Sequence, residues 1–444
     1  MASLPCYYAI GGLNFKNGFV TSCPQQHEKM QILNDTYLPS EFFNNDYFKS
    51  HRKELMSGQW CEGCDMCQHV EEANAGKSMR QEIDVDLKYY NPETGETSFD
   101  GLRTVEIRFS HSCNMACLHC SQVFSSGWMS KLKRYTPTDE DYEHNLTQLT
   151  GQMHRKGPDD DFTISLSLQR ALDIVRDLNT NFPNLERVDF AGGEVLYQKQ
   201  FVPTLKLLAD HPNAKNMKIL FHTNFNADFN AAELSAVLQN FGTVNMMMSI
   251  DAGPKLYPYF RDGDWSKLQS NLKQFKEVDN NHCEINIVQT TGTYQLMELK
   301  DAFTNFLSLD IDYIGASIIY TPPYLNPSVM MLKHRSSVLN DLEETRNAIF
   351  EIDKERRKNI EETKKLKSYF THGLTKPFSM WRDINSAVKS LEDIRKYIMN
   401  HKANQNDWNA FMKYIERTDV LWKQSFNNHI ENYKFVNGEV VRNV

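Results

Sequence analysis

Three cysteines that could hold a metal centre, Cys113, Cys117 and Cys120, lie within eight consecutive residues. They directly follow the apolar segment Thr104 to Phe109, which is typical of a buried β-strand. The C-x3-C-x2-C spacing allows three thiolates to reach one zinc ion or iron–sulfur cluster. A closed structural site uses four ligands, so three thiolates leave one coordination position open. The sequence therefore predicts a metal centre that a substrate or cofactor completes.

A second group of cysteines precedes the first and offers enough thiolates for a closed site. It has five members: Cys6, Cys23, Cys61, Cys64 and Cys67. Two distant cysteines and a C-x2-C knuckle make a four-thiolate site, for which a structural zinc and an iron–sulfur cluster compete. We favour Cys6, Cys23, Cys64 and Cys67 as ligands, with Cys61 as the spare. The ninth cysteine, Cys283, stands alone and is expected to be a buried bystander.

Composition limits the class of protein. The chain has 444 residues, of which 40% are hydrophobic and 24% charged, with a net charge of −8. This balance argues against broad binding to nucleic acids or membrane surfaces. The N-terminal residues lack the features of a secretory signal, and no apolar run is long enough to span a bilayer. We therefore expect a cytoplasmic protein, whose thiols stay reduced and are available to metals.

Strands and helices alternate from residue 104 to residue 320, which predicts a parallel sheet. Six such units would form an open parallel (β/α)6 partial barrel, an α/β fold. In barrels of this kind the chemistry lies at the carboxyl ends of the strands. The conspicuous polar residues follow strands at that end: the three cysteines after the first strand, Gly192-Gly193-Glu194 after the second, Thr223-Asn224 after the third, and Ser249 and Asp251 at the fourth.

Three regions are expected along the chain. Residues 1–85 form a small cysteine-rich module that begins with a β-hairpin around Asn17-Gly18. Residues 100–325 form the partial barrel, with an unusually long connection at about 121–183. Residues 326–444 form a helical C-terminal region of mixed charge, without heptads or repeats.

Together, the first cysteine motif and the barrel pattern resemble the radical S-adenosylmethionine (SAM) superfamily. The resemblance implies that Cys113, Cys117 and Cys120 hold a [4Fe–4S] cluster whose fourth iron is chelated by SAM. It also implies that one electron cleaves SAM to a 5′-deoxyadenosyl radical, which abstracts hydrogen from the substrate. An external donor similar to flavodoxin or ferredoxin would supply that electron.

The resemblance extends to residues at the other strand ends. Gly192, Gly193 and Glu194 resemble the motif that holds the methionine ammonium of SAM. The ribose contacts would come from Thr223, Asn224, Ser249 and Asp251, and the methionine carboxylate would pair with Arg261. An ordinary turn, helix caps and a surface arginine are the alternatives for these residues. His119 occupies a slot that is commonly aromatic.

The N-terminal region resembles a twitch, or half-SPASM, auxiliary-cluster module. The resemblance rests on cysteine spacing and on Gly18, Glu71 or Glu72, Gly76, Ser78 and Arg80. It implies a second [4Fe–4S] cluster, which would bind substrate or accept an electron; five available cysteines favour electron transfer. Such modules usually follow the barrel, whereas this one precedes it.

The leading hypothesis is thus a radical SAM enzyme of the oxidoreductase or transferase type. Its substrate would be a peptide or a small molecule, and no residue is singled out as a catalytic base or radical quencher. One alternative is a non-catalytic zinc-binding interaction protein. Another is a degenerate barrel that binds SAM without turnover.

Overall fold

The computed structural model covers the whole chain and describes most of it. The described residues are 4–16, 19–24, 31–32, 38–72, 78–81, 83–121, 124–135, 165–279, 281–320, 322–367 and 382–443. The predicted turn residues Asn17 and Gly18, and Gly76 of the module motif, lie outside these ranges. No helix of the described part is long and apolar enough to cross a membrane.

In the part of the chain that the structure describes, nine strands form one sheet. They are β1 (Gly12–Lys16), β2 (Phe19–Thr21), β3 (Gln31–Ile32), β4 (Thr104–Arg108), β5 (Arg187–Ala191), β6 (Lys218–Thr223), β7 (Thr243–Met248), β8 (Cys283–Thr291) and β9 (Tyr313–Ile318). Their order is β3-β2-β1-β4-β5-β6-β7-β8-β9. Strands β4 to β9 are parallel to one another, whereas β2 pairs antiparallel with both β1 and β3.

Helices connect and cover the strands. They are α1 (Tyr7–Gly11), α2 (Pro39–Phe42), α3 (Asp46–Met56), α4 (Asp65–Glu72), α5 (Ser126–Tyr135), α6 (Leu168–Asn181), α7 (Phe201–Leu208), α8 (Ala231–Leu238), α9 (Tyr257–Arg261), α10 (Trp265–Asp279), α11 (Leu299–Ser308), α12 (Met331–Lys367), α13 (Arg382–Asn400) and α14 (Gln405–Trp422). The prediction of an α/β fold with a parallel sheet is therefore confirmed.

The two faces of the sheet differ in polarity. On β5, Val188 and Phe190 are fully buried on the helix-covered face, whereas Arg187 and Asp189 are half-buried on the opposite face. Because side chains alternate along a strand, this pattern gives the sheet one apolar face and one polar, concave face. The concave face leads to the cysteines at the carboxyl end of β4.

The N-terminal region contributes strands to this sheet. β1 pairs in parallel with β4, and its residues Leu13 and Phe15 are fully buried. Gly11 accepts a hydrogen bond from the Arg103 backbone at 2.8 Å, which brings β1 beside the start of β4. The sequence predicted a hairpin in a separate module, but the apolar residues of β1 become buried only by joining the main sheet. The division of the chain into three domains stays a prediction.

The C-terminal region is not wholly helical, contrary to the prediction. After α12, α13 and α14 it ends in a hairpin of β10 (Tyr433–Val436) and β11 (Glu439–Arg442). The turn residues Asn437 and Gly438 have φ of 51° and 79°, as a two-residue hairpin turn requires. The alternating apolar residues beside this Asn-Gly pair gave a hairpin signal that the helical interpretation overlooked.

Candidate functional site

The cysteine loop that follows β4 is fixed by the start of α5. Ser126 Oγ accepts a hydrogen bond from the Cys113 backbone at 3.1 Å. Ser125 Oγ donates to the Met115 carbonyl at 2.6 Å. On the other side, the Leu118 backbone donates to the Phe260 carbonyl at 2.8 Å. The loop is therefore held between α5 and α9.

A cavity of about 260 Å³ lies at this loop, and the predicted residues meet there. Its lining contains the three cysteines and most of the strand-end residues predicted to bind SAM: Arg108, Cys113, Met115, Cys117, His119, Cys120, Phe124, Ser125, Ala191, Gly192, Gly193, Glu194, His222, Thr223, Asn224, Ser249 and Arg261. Asp251 is the one predicted SAM-binding residue outside this lining. The carboxyl ends of β4 to β7 thus converge on one cavity, as their parallel arrangement requires.

Two glycines allow β5 to pass close to the cysteine loop. Gly192 and Gly193 have φ of +84° and +54°, a region that favours glycine. A Cβ on Gly193 would lie 2.1 Å from the Ser112 carbonyl oxygen. The Glu194 backbone donates to that same oxygen at 2.9 Å. The turn therefore needs glycine both for its backbone conformation and for space.

Glu194 is buried and its carboxylate is held by three donors. Thr223 Oγ1 donates to Oε1 at 2.6 Å, and the backbones of Asn224 and Leu196 donate to Oε2 and Oε1 at 2.6 and 3.1 Å. Burial raises the pKa of Glu194, while these hydrogen bonds act in the opposite direction. Asn224 Nδ2 also donates to Asn114 Oδ1 at 2.9 Å, so this network connects β5 and β6 to the cysteine loop.

Arg261 and Asp251 form a buried ion pair beside the cysteines. Arg261 Nη1 lies 2.7 Å from Asp251 Oδ2, and Asp251 Oδ1 accepts from the Thr290 backbone at 2.7 Å. Burial alone would lower the pKa of Arg261, but the Cys117 sulfur and the Asp251 carboxylate raise it, so the guanidinium stays charged. Both oxygens of Asp251 are thus in use, and its role as a ribose contact stays a prediction.

His119 stacks on Phe260 with ring centroids 5.0 Å apart and planes 11° apart. Its Nε2 lies 3.6 Å from Asp251 Oδ2. Burial lowers the pKa of His119 to about 4, although Asp251 opposes this change, so the imidazole is neutral near pH 7. The histidine therefore fills the space of an aromatic residue at this position.

The donor set fits an iron–sulfur cluster and a bound carboxylate. Burial raises the pKa of the Cys113 thiol and that of Cys117, and it raises the pKa of Cys120 to about 12, while Arg261 opposes these shifts. A metal centre must therefore displace protons as it binds. Arg261 Nε is buried and has no hydrogen-bond partner among the described residues. That orphaned donor suits the methionine carboxylate of SAM.

Four of the N-terminal cysteines lie together at a second cavity, the predicted second site. Cys6, Cys23, Cys64 and Cys67 all line one cavity, together with His51. The four cysteines come from the segments before α1, after β2 and around the start of α4. They are the same four that the spacing favoured as ligands.

Cys61 lies behind this second cavity rather than in its lining. Its Sγ is buried and donates to the His51 carbonyl at 3.4 Å. Among the described residues, one group has ligand atoms that all lie within 4.8 Å of each other: His51, Cys61 and Cys64. The spacing did not indicate His51, because histidine joins this group only through the packing of α3 against the knuckle.

Glu71, rather than Glu72, stabilises the second site. Arg80 Nε donates to Glu71 Oε1 at 3.0 Å, and Arg80 Nη2 donates to Oε2 at 2.5 Å. Ser78 Oγ donates to the same carboxylate, and Arg80 Nη1 reaches the Pro5 carbonyl at 2.9 Å. This network fastens the residue before Cys6 to the helix that follows Cys64.

Two titratable residues that sequence reasoning did not select also line the first cavity. Arg108 is the last residue of β4, and His222 is the penultimate residue of β6. Both lie on the concave face at the carboxyl ends of strands. The alternation of side chains along β4 and β6 was the available signal, and the motif-based reasoning did not use it.

Comparison with known proteins finds one family model that matches part of the chain. The model of the Radical SAM superfamily matches residues 107–293, which includes the cysteine loop and strands β5 to β8. No protein with a curated function matches the chain.

Several solved structures resemble the chain at low identity. Native anSMEcpe with bound AdoMet is 16% identical with a TM-score of 0.34, and the match covers 48% of this chain and 50% of that one. SuiB of Streptococcus suis bound to S-adenosylmethionine is 17% identical with a TM-score of 0.32, covering 67% and 59%. The methyltransferase TsrM from Kitasatospora setae, with tryptophan and a SAM analogue, is 12% identical with a TM-score of 0.32, covering 51% and 37%. The chain therefore spans about half the length of the first of these, and likeness at this level says nothing about activity.

Proposed function

Because the radical SAM match includes the cysteine loop, we propose that the protein is a radical SAM enzyme. The observation that carries this proposal is the single cavity at the carboxyl ends of β4 to β7. Three thiols, the Gly-Gly-Glu turn and an unsatisfied arginine nitrogen all face it or border it. A zinc site or a simple structural knuckle would have no use for this set of donors.

Each residue has a distinct part in this proposal. Cys113, Cys117 and Cys120 hold a [4Fe–4S] cluster and leave one iron open. The Gly192-Gly193 backbone and the Glu194 carboxylate bind the methionine ammonium, and Arg261 binds its carboxylate through Nε. The ribose contacts come from Thr223, Asn224, Ser249 and Asp251.

The cofactors supply the chemistry, and the chain controls access to it. A [4Fe–4S] cluster held by Cys113, Cys117 and Cys120 would supply the one-electron reduction of SAM and, through it, hydrogen abstraction from the substrate. The loop between β4 and α5 keeps the cysteines in place, and α9 and α14 contact its backbone at Leu118.

We further propose that the N-terminal site holds a second [4Fe–4S] cluster on Cys6, Cys23, Cys64 and Cys67. Four thiolates would ligate it fully, which favours electron transfer over substrate binding. Glu71 and Arg80 support it by fixing Pro5 against the knuckle. The N-terminal region would then hold an auxiliary cluster, as a twitch module does. It would precede the barrel in the chain and form part of its sheet, whereas twitch modules usually follow the barrel.

The substrate would be a peptide or a small molecule, and the reaction would be of the oxidoreductase or transferase type. An external flavodoxin-like or ferredoxin-like protein would donate the electron. A reducing cytoplasm suits a protein that depends on free thiolates at two sites.

The proposed activity is tested by anaerobic reconstitution with iron and sulfide, followed by reduction and addition of SAM. We expect roughly eight irons per chain for two four-iron clusters. We also expect methionine and 5′-deoxyadenosine in equal amounts, detected by liquid chromatography and mass spectrometry. Iron incorporation without SAM cleavage would mean a degenerate barrel that binds but does not react.

A zinc-binding protein is the alternative, and one observation favours it at the second site. His51, Cys61 and Cys64 bring their ligand atoms within 4.8 Å of one another, a spacing that suits a single ion. Metal analysis of protein purified without oxygen separates the two proposals. If the protein holds two four-iron clusters, it should be brown and free of zinc. One zinc per chain would contradict the proposal of a second cluster.

A further inference from the structure

One row of side chains crosses the concave face of the sheet just below the cysteines. Strand register places Arg108 opposite Ala191 of β5 and His222 opposite Met247 of β7. Met247 in turn lies opposite Asn286 of β8. Because in-register residues of a parallel sheet project to the same face, these side chains form the wall of the barrel nearest the proposed radical. Arg108, Ala191 and His222 line the same cavity as the three cysteines.

Arg108 has hydrogen-bonding capacity that the protein leaves unused. Its Nε donates to Glu106 Oε1 at 2.5 Å. Its two terminal nitrogens have no partner in the part of the chain that the structure describes. An arginine normally meets a carboxylate with two parallel hydrogen bonds, so a contact through Nε alone leaves an edge of the guanidinium free for a ligand.

His222 adds a second open group on the same wall. Its ring makes no hydrogen bond to any described residue, and its side chain is exposed at the cavity. Further along the row, Asn286 Oδ1 is buried without a partner among the described residues. The guanidinium, imidazole and amide of this row all have hydrogen-bonding groups without a described protein partner. Such a row suits the binding of a polar ligand better than it suits packing.

The neighbouring row of side chains on the same face contains Asp189 and Glu284. Both already pair with other arginines, so they do not neutralise Arg108 further. Asp189 accepts two hydrogen bonds from Arg187, both at 2.7 Å. Glu284 lies 3.3 Å from Arg382. Within the cavity itself, the only lining carboxylate among the described residues is Glu194, and its oxygens are held by three donors. Apart from Glu106, no described carboxylate pairs with Arg108, so its two terminal nitrogens remain as charged donors that are open at this wall.

We infer that Arg108 and His222 bind a carboxylate group of the substrate, directly below the three cysteines. This inference rests on the proposed function and deepens it, because it names the chemical class of the substrate. A carboxylate matches one guanidinium edge and one imidazole. A doubly charged phosphate would fit less well, because Glu106 lies beside the same guanidinium.

The inference is tested by anaerobic calorimetry on the reconstituted full chain with SAM bound. The probes are glutarate, its neutral diamide and pentane-1,5-diamine, which share a carbon skeleton and differ in charge. We expect glutarate to bind wild-type protein and the other two not to bind. Arg108→Gln should weaken glutarate binding about tenfold or more, since a hydrogen bond between charged groups is lost. Arg108→Lys should retain part of the affinity.

A matched control is Arg176→Gln, because Arg176 pairs with Asp173 on the exposed surface of α6, away from the cavity. It should leave glutarate binding unchanged. Arg108→Gln leaves the Glu106 carboxylate without its partner, which could impair folding. The double variant Glu106→Gln/Arg108→Gln also removes that carboxylate and should show the same loss of glutarate affinity. Absence of glutarate binding to the wild type, equal binding of the diamide, or equal binding by Arg108→Gln would each overturn the inference. So would a loss of SAM affinity in Arg108→Gln, which would assign Arg108 to the cofactor.

Release of 5′-deoxyadenosine is measured in the same preparations, which separates the two proposals. If the protein binds glutarate through Arg108 but cleaves no SAM, the carboxylate site is supported and the proposed radical chemistry is contradicted. SAM cleavage in a protein that ignores glutarate would do the reverse.

Discussion

Gly193 shows how closely the site depends on single residues. Its φ of +54° and its contact with the Ser112 carbonyl leave no room for a side chain. Any larger residue must push the Gly-Gly-Glu turn away from the cysteine loop. Because Glu194 follows directly, that movement would also displace the carboxylate held by Thr223 and Asn224.

We therefore predict that Gly193→Ala weakens SAM binding by at least about tenfold, the effect of losing one or two good polar contacts. Gly438→Ala is the matched control, because Gly438 also has a positive φ of 79° but its nearest neighbour is a flexible Glu416 side chain 3.6 Å from the added Cβ. The control should lower thermal stability slightly and leave SAM affinity unchanged, as measured by equilibrium binding. Similar SAM affinity in both variants would contradict the role given to the turn.

Helix α14 acts on the site at the scale of whole elements. Tyr414 donates its hydroxyl to the Leu118 carbonyl at 2.5 Å, between the second and third cysteines. Trp422 at the end of the same helix packs edge-on against Trp128 of α5, with ring centroids 5.8 Å apart. The helix thus braces the cysteine loop from outside, a role for the C-terminal region that its charge pattern did not reveal.

Removing this brace should make the loop open more often. Tyr414→Phe deletes one hydrogen bond and leaves a buried carbonyl unpaired, at a cost of about 1 kcal/mol, or roughly fivefold in local opening. We predict correspondingly faster release of iron to a chelator. The control is Tyr433→Phe, which deletes the hydrogen bond of 3.0 Å from the Tyr433 hydroxyl to Asp341 in the same C-terminal region. It should not change the rate of iron release. Equal release rates in wild type and Tyr414→Phe would rule out the brace.

A buried carboxyl group helps to attach the segment just before the terminal hairpin to the barrel. Glu298, just before α11, accepts from the Glu431 and Asn432 backbones at 2.6 and 3.2 Å. Burial raises the pKa of Glu298 from 4.5 to about 7, helped by Asp301 and opposed by those two hydrogen bonds and by Lys255. The folded protein therefore holds this proton more tightly than the unfolded chain does.

Glu298 therefore contributes fully to the free energy of unfolding below about pH 4.5, and this contribution is lost as the pH rises through about 7. In Glu298→Gln the same position does not titrate. We predict that the melting temperature of the wild type falls relative to that of Glu298→Gln between pH 5 and pH 8, measured by thermal unfolding in matched buffers. Parallel curves across this range would show that Glu298 is not the titrating group.

At the scale of the whole molecule, one sheet connects both cysteine sites. β1, which lies between Cys6 and Cys23 in the chain, pairs with β4, which leads into the cysteine loop. At the opposite edge, Ser386 and Ser390 of α13 exchange hydrogen bonds with the Ile314 backbone at 2.9 and 3.0 Å, so the helix covers strand β9. Covering an exposed edge in this way protects an open sheet from pairing with another chain.

Local patterns in the sequence predicted some of these features and not others. Strands such as β5 were predictable, because each joins a short apolar run to a polar motif at its end. The convergence of Gly193, Thr223 and the cysteines then followed from parallel topology. The pairing of β1 with β4 was not predictable, because nothing in the local pattern of Leu13 and Phe15 specifies a partner strand about 90 residues away.

Side-chain roles were harder to predict than strand positions. Arg261 was selected by resemblance, but only the folded structure shows that Asp251 uses one of its nitrogens and leaves Nε unpaired. The spacing left Glu71 and Glu72 as equal candidates, and packing against Arg80 distinguishes them. Such choices depend on tertiary contacts that no single stretch of sequence encodes.

The most direct test of the central claim is SAM cleavage by a variant that lacks the three loop cysteines. In the reduced, reconstituted protein, Cys113→Ala/Cys117→Ala/Cys120→Ala should release no 5′-deoxyadenosine above background and should retain about half of the wild-type iron, on the second site. Cys283→Ala, which removes the isolated buried cysteine, is the control and should keep both activity and iron. Continued release of 5′-deoxyadenosine by the triple variant would contradict the assignment of the cysteine loop as the radical site.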